Sequence, residues 1–410
     1  MSKSNKDFFN KKNSWSEIKD RLLNGYLPQY FQKLLTSHRP IFYVDCFAGK
    51  GKFDDGNDGS PRIALKIRAD CLQKTTINNN KINTCFVDLN YADELQRNIS
   101  DFHFNGIPYV VSGKYEDKIE AVLSDKKDHN VFLYIDPYGI KALDYNLFKK
   151  FATSGFNSIE LLINMNSFGF FRDACRVMKV EKIQQDEVFS DLDDIIIEYE
   201  PTEVDASEQS EALLNRIAGG DYWKEIVKDY QNNSIDGYEA EKQFSTKYKQ
   251  QLQQLYRYVL DMPIRMKPGQ RPKYRMIHVS NHEQGCILMA ENMASRKDEL
   301  FIEIQNKGQQ NLFYETIENE ITSQDNIYDK VNDFIENPSI DITLNNLLAS
   351  FFTKYGVLCK SNDIINILKE MEQNSHIEVI RDPPYTKTGK VSTFFTEIRD
   401  QKVTIRRKHS

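Results

Sequence analysis

Cysteine, histidine and long apolar runs are scarce in this sequence of 410 residues. The six cysteines are scattered without a CxxC pair, so we expect neither a disulfide framework nor a zinc knuckle, and a reducing cytoplasm fits best. His278 and His282 have no third ligand spaced for zinc, so we expect no metal site. No apolar run approaches the roughly 18 residues of a membrane span. The first residues lack the apolar segment of a signal peptide, and we expect none.

A large excess of one charge sign is also missing. Lys and Arg number 54 against 60 Asp and Glu, which gives a net charge of −6. This total excludes a uniformly basic surface but not a local basic groove. Between Glu181 and Glu211 only Lys182 is basic, which predicts a solvated acidic insertion on the surface. A mimic of nucleic-acid charge is the alternative.

The charge then reverses sign, and tyrosines are interleaved with the basic residues that follow. We predict that this stretch contacts nucleic acid through Arg265, Lys267, Arg271 and Lys273. The alternative interpretation is a solvated basic face that covers packed tyrosines.

Strand-like runs alternate with helical patterns through the first two thirds of the chain. The runs are continuous and apolar, which is typical of parallel strands with helices on both faces. They lie at Ile41–Val44, Thr84–Val87, Tyr109–Val111, Val131–Ile135, Ile159–Ile163 and Tyr274–Ser280. We predict helices between residues 8 and 38, over Glu283–Met293, and from an N-cap at Ser60 with Pro61 in the first turn. The predicted fold class is α/β, with a Rossmann-like sheet.

A glycine-containing loop follows the first strand and has the sequence DCFAGKG. Glycine lets the backbone pass close to a ligand and adopt positive φ. The pattern DxFAGxG is typical of S-adenosylmethionine-dependent methyltransferases, especially those that act on nucleic acid. We predict that the cofactor is bound by Asp45, Phe47, Ala48, Gly49 and Gly51. A structural turn without a ligand is the alternative.

Polar residues also follow the second and third strands. Asp88 ends the second strand, where a carboxylate can accept hydrogen bonds from ribose hydroxyls. Ser112, Glu116 and Asp117 follow the third strand, where such folds contact the adenine amino group, and the choice among them stays open. Asp88 and Ser112 complete the predicted cofactor site.

The fourth strand ends in Asp136-Pro137-Tyr138-Gly139. Amino-methyltransferases carry [D/N/S]-P-P-[Y/F/W] here, where an oxygen and a proline carbonyl orient an exocyclic amine. The aromatic ring stacks on a base that has left the helix. We predict that Asp136, Pro137 and Tyr138 are catalytic, although the second proline is missing. A strand-end turn capped by the aspartate is the alternative.

The remainder of the chain, from about residue 311, is predicted to be a separate unit. Three helical patterns (Ile327–Ile335, Leu344–Tyr355, Asn362–Met371) precede two strand-like runs (Ile377–Arg381, Ser392–Ile398). This order predicts a C-terminal winged-helix domain. A perfect DPPY begins at Asp382, between the two strand-like runs, and we interpret it as the turn of the wing. Lys387 and Lys390 beside it are predicted to contact phosphate.

The segments YVDCFAGKGKF, GSPRIAL, CFVDLN, FLYIDPYGI and YRMIHVSNHEQG, together with the winged-helix-like tail, resemble the three-Cys-motif partner family of bacterial proteins. The resemblance implies a class I methyltransferase-like fold with S-adenosylmethionine as cofactor. By residue match it assigns cofactor binding to Asp45, Phe47, Gly49 and Gly51, and the reactive end to Asp136, Pro137 and Tyr138. It also implies a partner, a three-cysteine protein resembling radical-SAM enzymes, in a mobile-element or phage-defence setting.

We therefore predict N-terminal helices over residues 1–40, a methyltransferase-like domain over 41–310 with an insertion at about 181–273, and a winged-helix-like domain over 311–410. The leading hypothesis is methylation of DNA or RNA at an exocyclic amino group. The alternative is a non-catalytic nucleic-acid-binding or partner protein. A third hypothesis is a nuclease-like factor in which Asp45, Asp88 and Asp136 hold Mg²⁺, which the glycine loop disfavours.

Overall fold

The computed structural model describes residues 9, 12, 14–75, 82–102, 106–184, 208–264, 272, 274–306, 324–336, 341–398 and 400–408. The chain divides into two compact units, residues 1–281 and 282–410. The sequence predicts a boundary at about residue 310, and the division in the structure precedes that position by one long helix. In the described part of the chain, no helix is long and apolar enough to cross a membrane.

The first unit alternates strands and helices as far as its fifth strand. Its elements are α1 (Ser14–Leu35), β1 (Ile41–Asp45), α2 (Ser60–Gln73), β2 (Ile82–Asp88), α3 (Ala92–Asn98), β3 (Tyr109–Ser112), α4 (Tyr115–Leu123), β4 (Asn130–Ile135), α5 (Tyr145–Thr153), β5 (Ser158–Met165), α6 (Ser167–Val177), α7 (Glu208–Ala218), α8 (Trp223–Gln231), α9 (Gly237–Gln253), β6 (Tyr258–Ile264) and β7 (Tyr274–Ser280). A short 3-10 helix, Glu181–Gln184, follows α6.

The seven strands form one sheet in the order β3-β2-β1-β4-β5-β7-β6. Strands β1 to β5 are parallel, and β7 is antiparallel to both of its neighbours. This mostly parallel sheet is consistent with the Rossmann-like methyltransferase sheet that the sequence predicts. The six predicted strands are confirmed. Strand β6 was not predicted, because its run contains Asp261 and Pro263 and resembles the polar insertion around it.

Helices cover both faces of the sheet, as the continuous apolar strands predict. On one face Phe42 and Val44 belong to a large apolar core that includes Ile119 of α4 and Phe148 of α5. On the other face Tyr43 packs against Phe31 of α1 with ring centroids 6.4 Å apart. Neighbouring residues of a strand point to opposite faces, so a strand buried on both faces is apolar throughout.

The acidic insertion lies partly outside the described residues, because residues 185–207 are not described. The described helices that follow it, α7 to α9, each bury one face against the apolar core. Trp223 and Phe244 are buried, and the ring of Phe244 stacks on Phe170 at 4.1 Å between centroids. These helices therefore extend the core beside α6.

One helix start differs from its prediction. Helix α2 begins at Ser60, and Gly59 occupies the N-cap position with extended backbone and no side-chain cap. The Gly59 N–H donates to the carbonyl of Gly51 at 3.0 Å, which fixes the chain one residue earlier than expected. The predicted N-cap at Ser60 is therefore wrong by one residue.

The second unit contains a long helix followed by a smaller α/β arrangement. Its elements are α10 (Glu283–Asn306), α11 (Gln324–Ile335), β8 (Asp341–Thr343), α12 (Leu344–Tyr355), α13 (Ser361–Gln373), β9 (Ile377–Asp382) and β10 (Lys402–Arg407). The three strands form an antiparallel sheet in the order β8-β10-β9. Within this unit, the N–H of Ser361 donates to Glu291 Oε1 at 2.5 Å, which joins α13 to α10.

The last strand of the second unit lies later than expected. The predicted strand Ser392–Ile398 is wrong, and β10 takes its place. The Glu397 carboxylate accepts the N–H groups of Asn345 at 2.8 Å and Val403 at 3.0 Å. These bonds hold the segment as a crossing loop, so the chain reaches the sheet only at Lys402.

Candidate active site

The candidate site lies at the carboxyl end of β1, where the order in which successive strands join the sheet changes direction. From β1 the chain continues to β2 on one side, whereas β4 lies on the other side of β1. In open α/β sheets, ligands bind at such a switch point, outside the carboxyl ends of the strands. An open cleft lies here. It is lined by Phe9, Ser16, Lys19, Asp20, Phe47, Ala48, Gly49, Gly51, Lys52, Phe53, Gly59, Ser60, Tyr134, Asp136, Pro137, Tyr138, Gly139, Asn164, Asn166 and Tyr274.

The glycine loop forms one wall of this cleft. Gly49 and Gly51 have φ values of 59° and 74°, in the left-handed region that favours glycine. A Cβ on Gly51 would lie 2.7 Å from Leu95 Cδ1, and one on Gly49 would lie 3.0 Å from Phe9 Cζ. The loop therefore requires glycine both for its conformation and for its packing.

Asp45 ends β1 and is completely buried beneath the loop. Its Oδ1 accepts the N–H of Phe47 at 3.2 Å, whereas Oδ2 has no hydrogen-bond partner among the described residues. Burial raises the pKa of Asp45 to about 7. The Ser60 side chain lies close enough to lower this pKa but does not meet hydrogen-bonding geometry. Asp45 is thus a buried acceptor with one open oxygen.

Asp88 ends β2 and binds the backbone around it. Its Oδ2 accepts the N–H of Gly49 at 2.8 Å. Its Oδ1 accepts the N–H groups of Asn90 at 2.8 Å and Tyr91 at 2.7 Å. A carboxylate has about four lone-pair sites, so these bonds leave about one free. Asp88 does not line the cleft, and neither does Ser112, an exposed residue that pairs with Asp88 across β2 and β3.

Asp136 follows β4 and forms the opposite wall. The Lys19 ammonium donates to Oδ1 at 2.9 Å and to Oδ2 at 2.6 Å. Asn164 Nδ2 donates to Oδ1 at 2.7 Å, and the Tyr134 hydroxyl donates to Oδ2 at 3.3 Å. The carboxylate is therefore surrounded by donors from α1, β4 and β5.

Pro137, Tyr138 and Gly139 form a tight turn beside Asp136. The Pro137 carbonyl accepts the N–H of Gly139 at 3.0 Å, and Gly139 has a φ of 111°. The Tyr138 side chain lines the cleft and is 39% exposed. The structure thus brings all three predicted catalytic residues into the same cleft as the glycine loop.

Several residues of the cleft were missed by sequence reasoning. Lys19 and Asp20 come from α1, and Asn164 and Asn166 come from the carboxyl end of β5. The two asparagines could have been found, since polar residues at the end of a buried strand often face a site. Lys19 and Asp20 carry no such signal, because charged residues are ordinary on a helix that is partly exposed.

Asp20 is a second carboxyl group of the cleft with an unusual environment. It is 8% exposed and forms an ion pair with Lys12. Burial raises its pKa to about 6, while the charges of Lys12 and Lys19 oppose the rise and that of Asp136 adds to it. The lining of the cleft therefore combines two carboxyl groups, those of Asp20 and Asp136, with the two lysines Lys19 and Lys52.

The predicted nucleic-acid contacts are only partly described. Arg265, Lys267, Arg271 and Lys273 lie outside the described residues. Lys387 and Lys390 are exposed on the hairpin after β9, where the Thr386 N–H donates to the Lys390 carbonyl at 2.8 Å. The tyrosines near the basic stretch at positions 248, 256 and 258 are buried. These three rings pack in the core, as the alternative interpretation expects.

Among the described residues, no three histidine, cysteine or acidic side chains come together as a metal site. Asp45, Asp88 and Asp136 are therefore not arranged as the Mg²⁺ site of the third hypothesis. Cys46, which follows Asp45, is 1% exposed, and burial raises its pKa well above the usual value. A buried thiol of this kind packs as a small apolar residue.

Comparisons with known proteins gave no match in sequence and only distant similarity in structure. No family model matches the chain, and no curated protein sequence matches it. One similar solved structure is geranyl diphosphate methyltransferase in complex with GPP and sinefungin, at 10% identity and a TM-score of 0.25, covering 62% of this chain and 77% of that chain. Another is YjhP from E. coli, at 8% identity and a TM-score of 0.24, covering 62% and 90%. The fold assignment here rests on the strand order and not on these similarities.

Proposed function

We propose that this protein is an S-adenosylmethionine-dependent methyltransferase that acts on nucleic acid at an exocyclic amino group. One observation carries the proposal. The cleft at the switch point of the sheet has the glycine loop on one wall and Asp136-Pro137-Tyr138 on the other. A cofactor wall facing a wall that can orient an amine is the arrangement that methyl transfer between two bound groups requires.

The residues of the first wall fit this cofactor. Asp45 lies beneath this wall and does not line the cleft itself, but its Oδ2 is a buried acceptor without a partner among the described residues, which suits the ammonium of the methionine end. Gly49 and Gly51 leave room for close approach along the backbone of the loop, and Phe47 and Ala48 line the same wall. Asp88 lies outside the lining of the cleft but retains about one lone-pair site, enough for one ribose hydroxyl at the edge of this wall. When bound, S-adenosylmethionine supplies an electrophilic methyl group.

The second wall holds the acceptor. The Asp136 carboxylate accepts an N–H of the amine and thereby turns the nitrogen lone pair towards the first wall. The Pro137 carbonyl has a second lone pair for the other N–H, because Gly139 uses only one. Tyr138 offers a partly exposed ring on which a flipped or single-stranded base stacks. Positioning accounts for most of the rate enhancement in such a site.

The second unit would hold the nucleic acid. Its order of helix, strand, two helices, strand, hairpin and strand supports a winged-helix domain, with Lys387 and Lys390 on the wing. Lysines on such a hairpin position the protein on phosphates without reading sequence. Arg265, Lys267, Arg271 and Lys273 remain proposed phosphate contacts of the first unit.

A second candidate is a non-catalytic protein that binds nucleic acid or partners a three-cysteine protein. Two observations favour it. The tetrad DPYG lacks the second proline of amino-methyltransferases. Asp136 is already surrounded by donors from its own chain. In this case the cleft would bind cofactor, or nothing, without methyl transfer.

Calorimetric titration with S-adenosylmethionine tests the cofactor site. We expect the wild type to bind and Asp45→Asn to bind at least about tenfold more weakly, since an open buried acceptor is lost. Asp128→Asn is the matched control, because Asp128 is exposed and precedes β4, at the amino end of the strand and away from the cleft. A wild type that binds no cofactor would overturn the enzyme proposal.

Methyl transfer is tested with radiolabelled cofactor and separate pools of DNA and RNA. We expect labelled N-methyl nucleosides after digestion of one pool. Cofactor binding without label in either pool would favour the second candidate and contradict the first.

A further inference from the structure

The carboxylate of Asp136 already has a full set of donors. Lys19 Nζ and Asn164 Nδ2 bind Oδ1 at 2.9 and 2.7 Å. Lys19 Nζ and the Tyr134 hydroxyl bind Oδ2 at 2.6 and 3.3 Å. A carboxylate has about four lone-pair sites, and these four contacts use them. A substrate amine therefore finds no acceptor on Asp136 unless one donor leaves.

Lys19 is the donor that can leave. Tyr134 lies on the central strand β4, and Asn164 lies on β5 beside it, so both are held by the sheet. Lys19 reaches the carboxylate through a flexible side chain whose Nζ also lies 6.0 Å from the ring centroid of Tyr274. Its ammonium supplies two of the four contacts, so its departure opens one site on each oxygen.

The packing of α1 fixes the backbone of Lys19, while its side chain remains flexible. Leu22, Leu23 and Tyr26 follow it on the same helix and are fully buried. The Lys19 side chain is 11% exposed. Burying an ammonium is unfavourable unless a carboxylate pairs with it, so this contact belongs to the resting structure of the cleft.

We propose that Lys19 is the specificity-determining residue of this cleft: its ammonium fills the amine subsite on Asp136, and an incoming amine binds only by replacing it. The inference rests on the proposed function in taking Asp136 as the amine acceptor. Lys19 is the cation paired with Asp136, whereas Asp20 is paired with Lys12, so losing the Lys19 ammonium leaves the charge of Asp136 uncompensated. An ammonium ion restores that charge balance and can therefore report whether the subsite has been vacated. The amine of the proposed substrate is uncharged, because methyl transfer needs its nitrogen lone pair.

Chemical rescue tests this inference without any methyl transfer. Lys19→Ala removes the part of the side chain that n-propylammonium replaces. We expect n-propylammonium chloride to bind Lys19→Ala in calorimetric titration and to raise its melting temperature. The wild type should bind at least about tenfold more weakly, because its site is open for only a small fraction of the time.

Two controls make the test specific. n-Propanol has the same shape without the charge and should have no effect on Lys19→Ala. The double variant Lys19→Ala/Asp136→Asn lacks the partner carboxylate and should not respond to n-propylammonium. A folded Lys19→Ala that responds no more than the wild type, or that responds equally to n-propanol, would overturn the inference. If Lys19→Ala is unfolded in buffer, recovery of its circular dichroism by n-propylammonium supports the inference and failure to recover overturns it.

The failure of this inference can be separated from failure of the proposed function. Titration of the wild type with S-adenosylmethionine is run in parallel. If n-propylammonium rescues Lys19→Ala but the wild type binds no cofactor, the subsite on Asp136 is supported and the enzyme proposal is overturned. Cofactor binding without rescue would overturn only the role of Lys19.

Discussion

The carboxylate of Asp88 accepts the backbone N–H of Gly49 at 2.8 Å, which ties the end of β2 to the loop that follows β1. The same carboxylate accepts the N–H groups of Asn90 and Tyr91, so one side chain organises two loops at the carboxyl edge of the sheet. The shape of the glycine-loop wall therefore depends on a residue outside the cleft.

Replacing Asp88 should loosen the glycine loop. We expect Asp88→Ala to lower the free energy of unfolding by about 2 kcal/mol, since hydrogen bonds from backbone amides to a charged acceptor are lost. Cofactor binding should weaken as well. Urea unfolding and calorimetric titration measure the two effects. Asp93→Ala, an exposed residue in the first turn of α3, is the control and should stay within about 0.5 kcal/mol of the wild type. Equal stability of the two variants would contradict the role of Asp88.

A side chain at Gly51 should be tolerated less well than one at Gly56. Both residues have positive φ, 74° and 89°, so an alanine at either position is strained by the left-handed backbone conformation. Only Gly51 would bring its Cβ into contact, 2.7 Å from Leu95 Cδ1, whereas Gly56 has open space. We expect Gly51→Ala to lower the free energy of unfolding by about 2 kcal/mol more than Gly56→Ala. Equal losses in urea unfolding would show that packing does not restrict the loop.

The buried Asp45 should make stability fall as the pH rises. Burial raises its pKa from 3.8 to about 7, so the folded protein holds a proton that the unfolded chain releases. The stabilisation from this proton is full below pH 3.8 and declines progressively until the pH has risen through about 7. The total change in the free energy of unfolding is roughly 4 kcal/mol. Other groups titrate alike in wild type and Asp45→Asn, so the difference between their unfolding free energies at pH 5 and pH 8 isolates this residue. Identical pH dependence in both proteins would refute the assignment.

Asp136→Ala should abolish methyl transfer and spare cofactor binding. Alanine supplies no side-chain oxygen to orient the amine, so we expect the rate to fall at least about a hundredfold. The sequence offers a matched control in Asp382→Ala, since Asp382 begins a perfect DPPY on the hairpin of the second unit. That variant should transfer methyl groups at the wild-type rate. Loss of transfer in Asp382→Ala alone would assign the chemistry to the other tetrad.

Lys387→Ala should weaken binding to DNA without changing sequence preference. A lysine that contacts one phosphate contributes about one unit to the slope of log affinity against log salt. We expect the slope to fall by about that amount in fluorescence anisotropy titrations. Lys127→Ala, which removes an exposed lysine before β4 in the first unit, should leave the slope unchanged. An unchanged slope in Lys387→Ala would remove the wing from the nucleic-acid surface.

The strands that the sequence indicates most clearly are those in which every residue is buried, because such a strand carries a continuous apolar run. Strands β1 and β4 are buried on both faces, so their apolar runs identified them directly. Strand β6 carries Asp261, whose charge is compensated by Arg275 of β7 at 2.6 Å and by Lys249 of α9 at 3.6 Å. The crossing loop before β10 alternates like a strand, but the Glu397 carboxylate binds the N–H groups of Asn345 and Val403, and Arg381 binds the Phe394 carbonyl. Partners distant in sequence decided these cases.

The sequence by itself determined the two walls of the cleft, because the glycine loop and Asp136 each follow a strand and the carboxyl ends of parallel strands meet at one edge. Only the tertiary structure decided what Asp136 binds. Lys19 is 117 residues away from it in the chain, and Asn164 is 28 residues away. No local pattern encodes such contacts, since they arise when α1 packs on the sheet and carries a charged side chain to a carboxylate that must be paired.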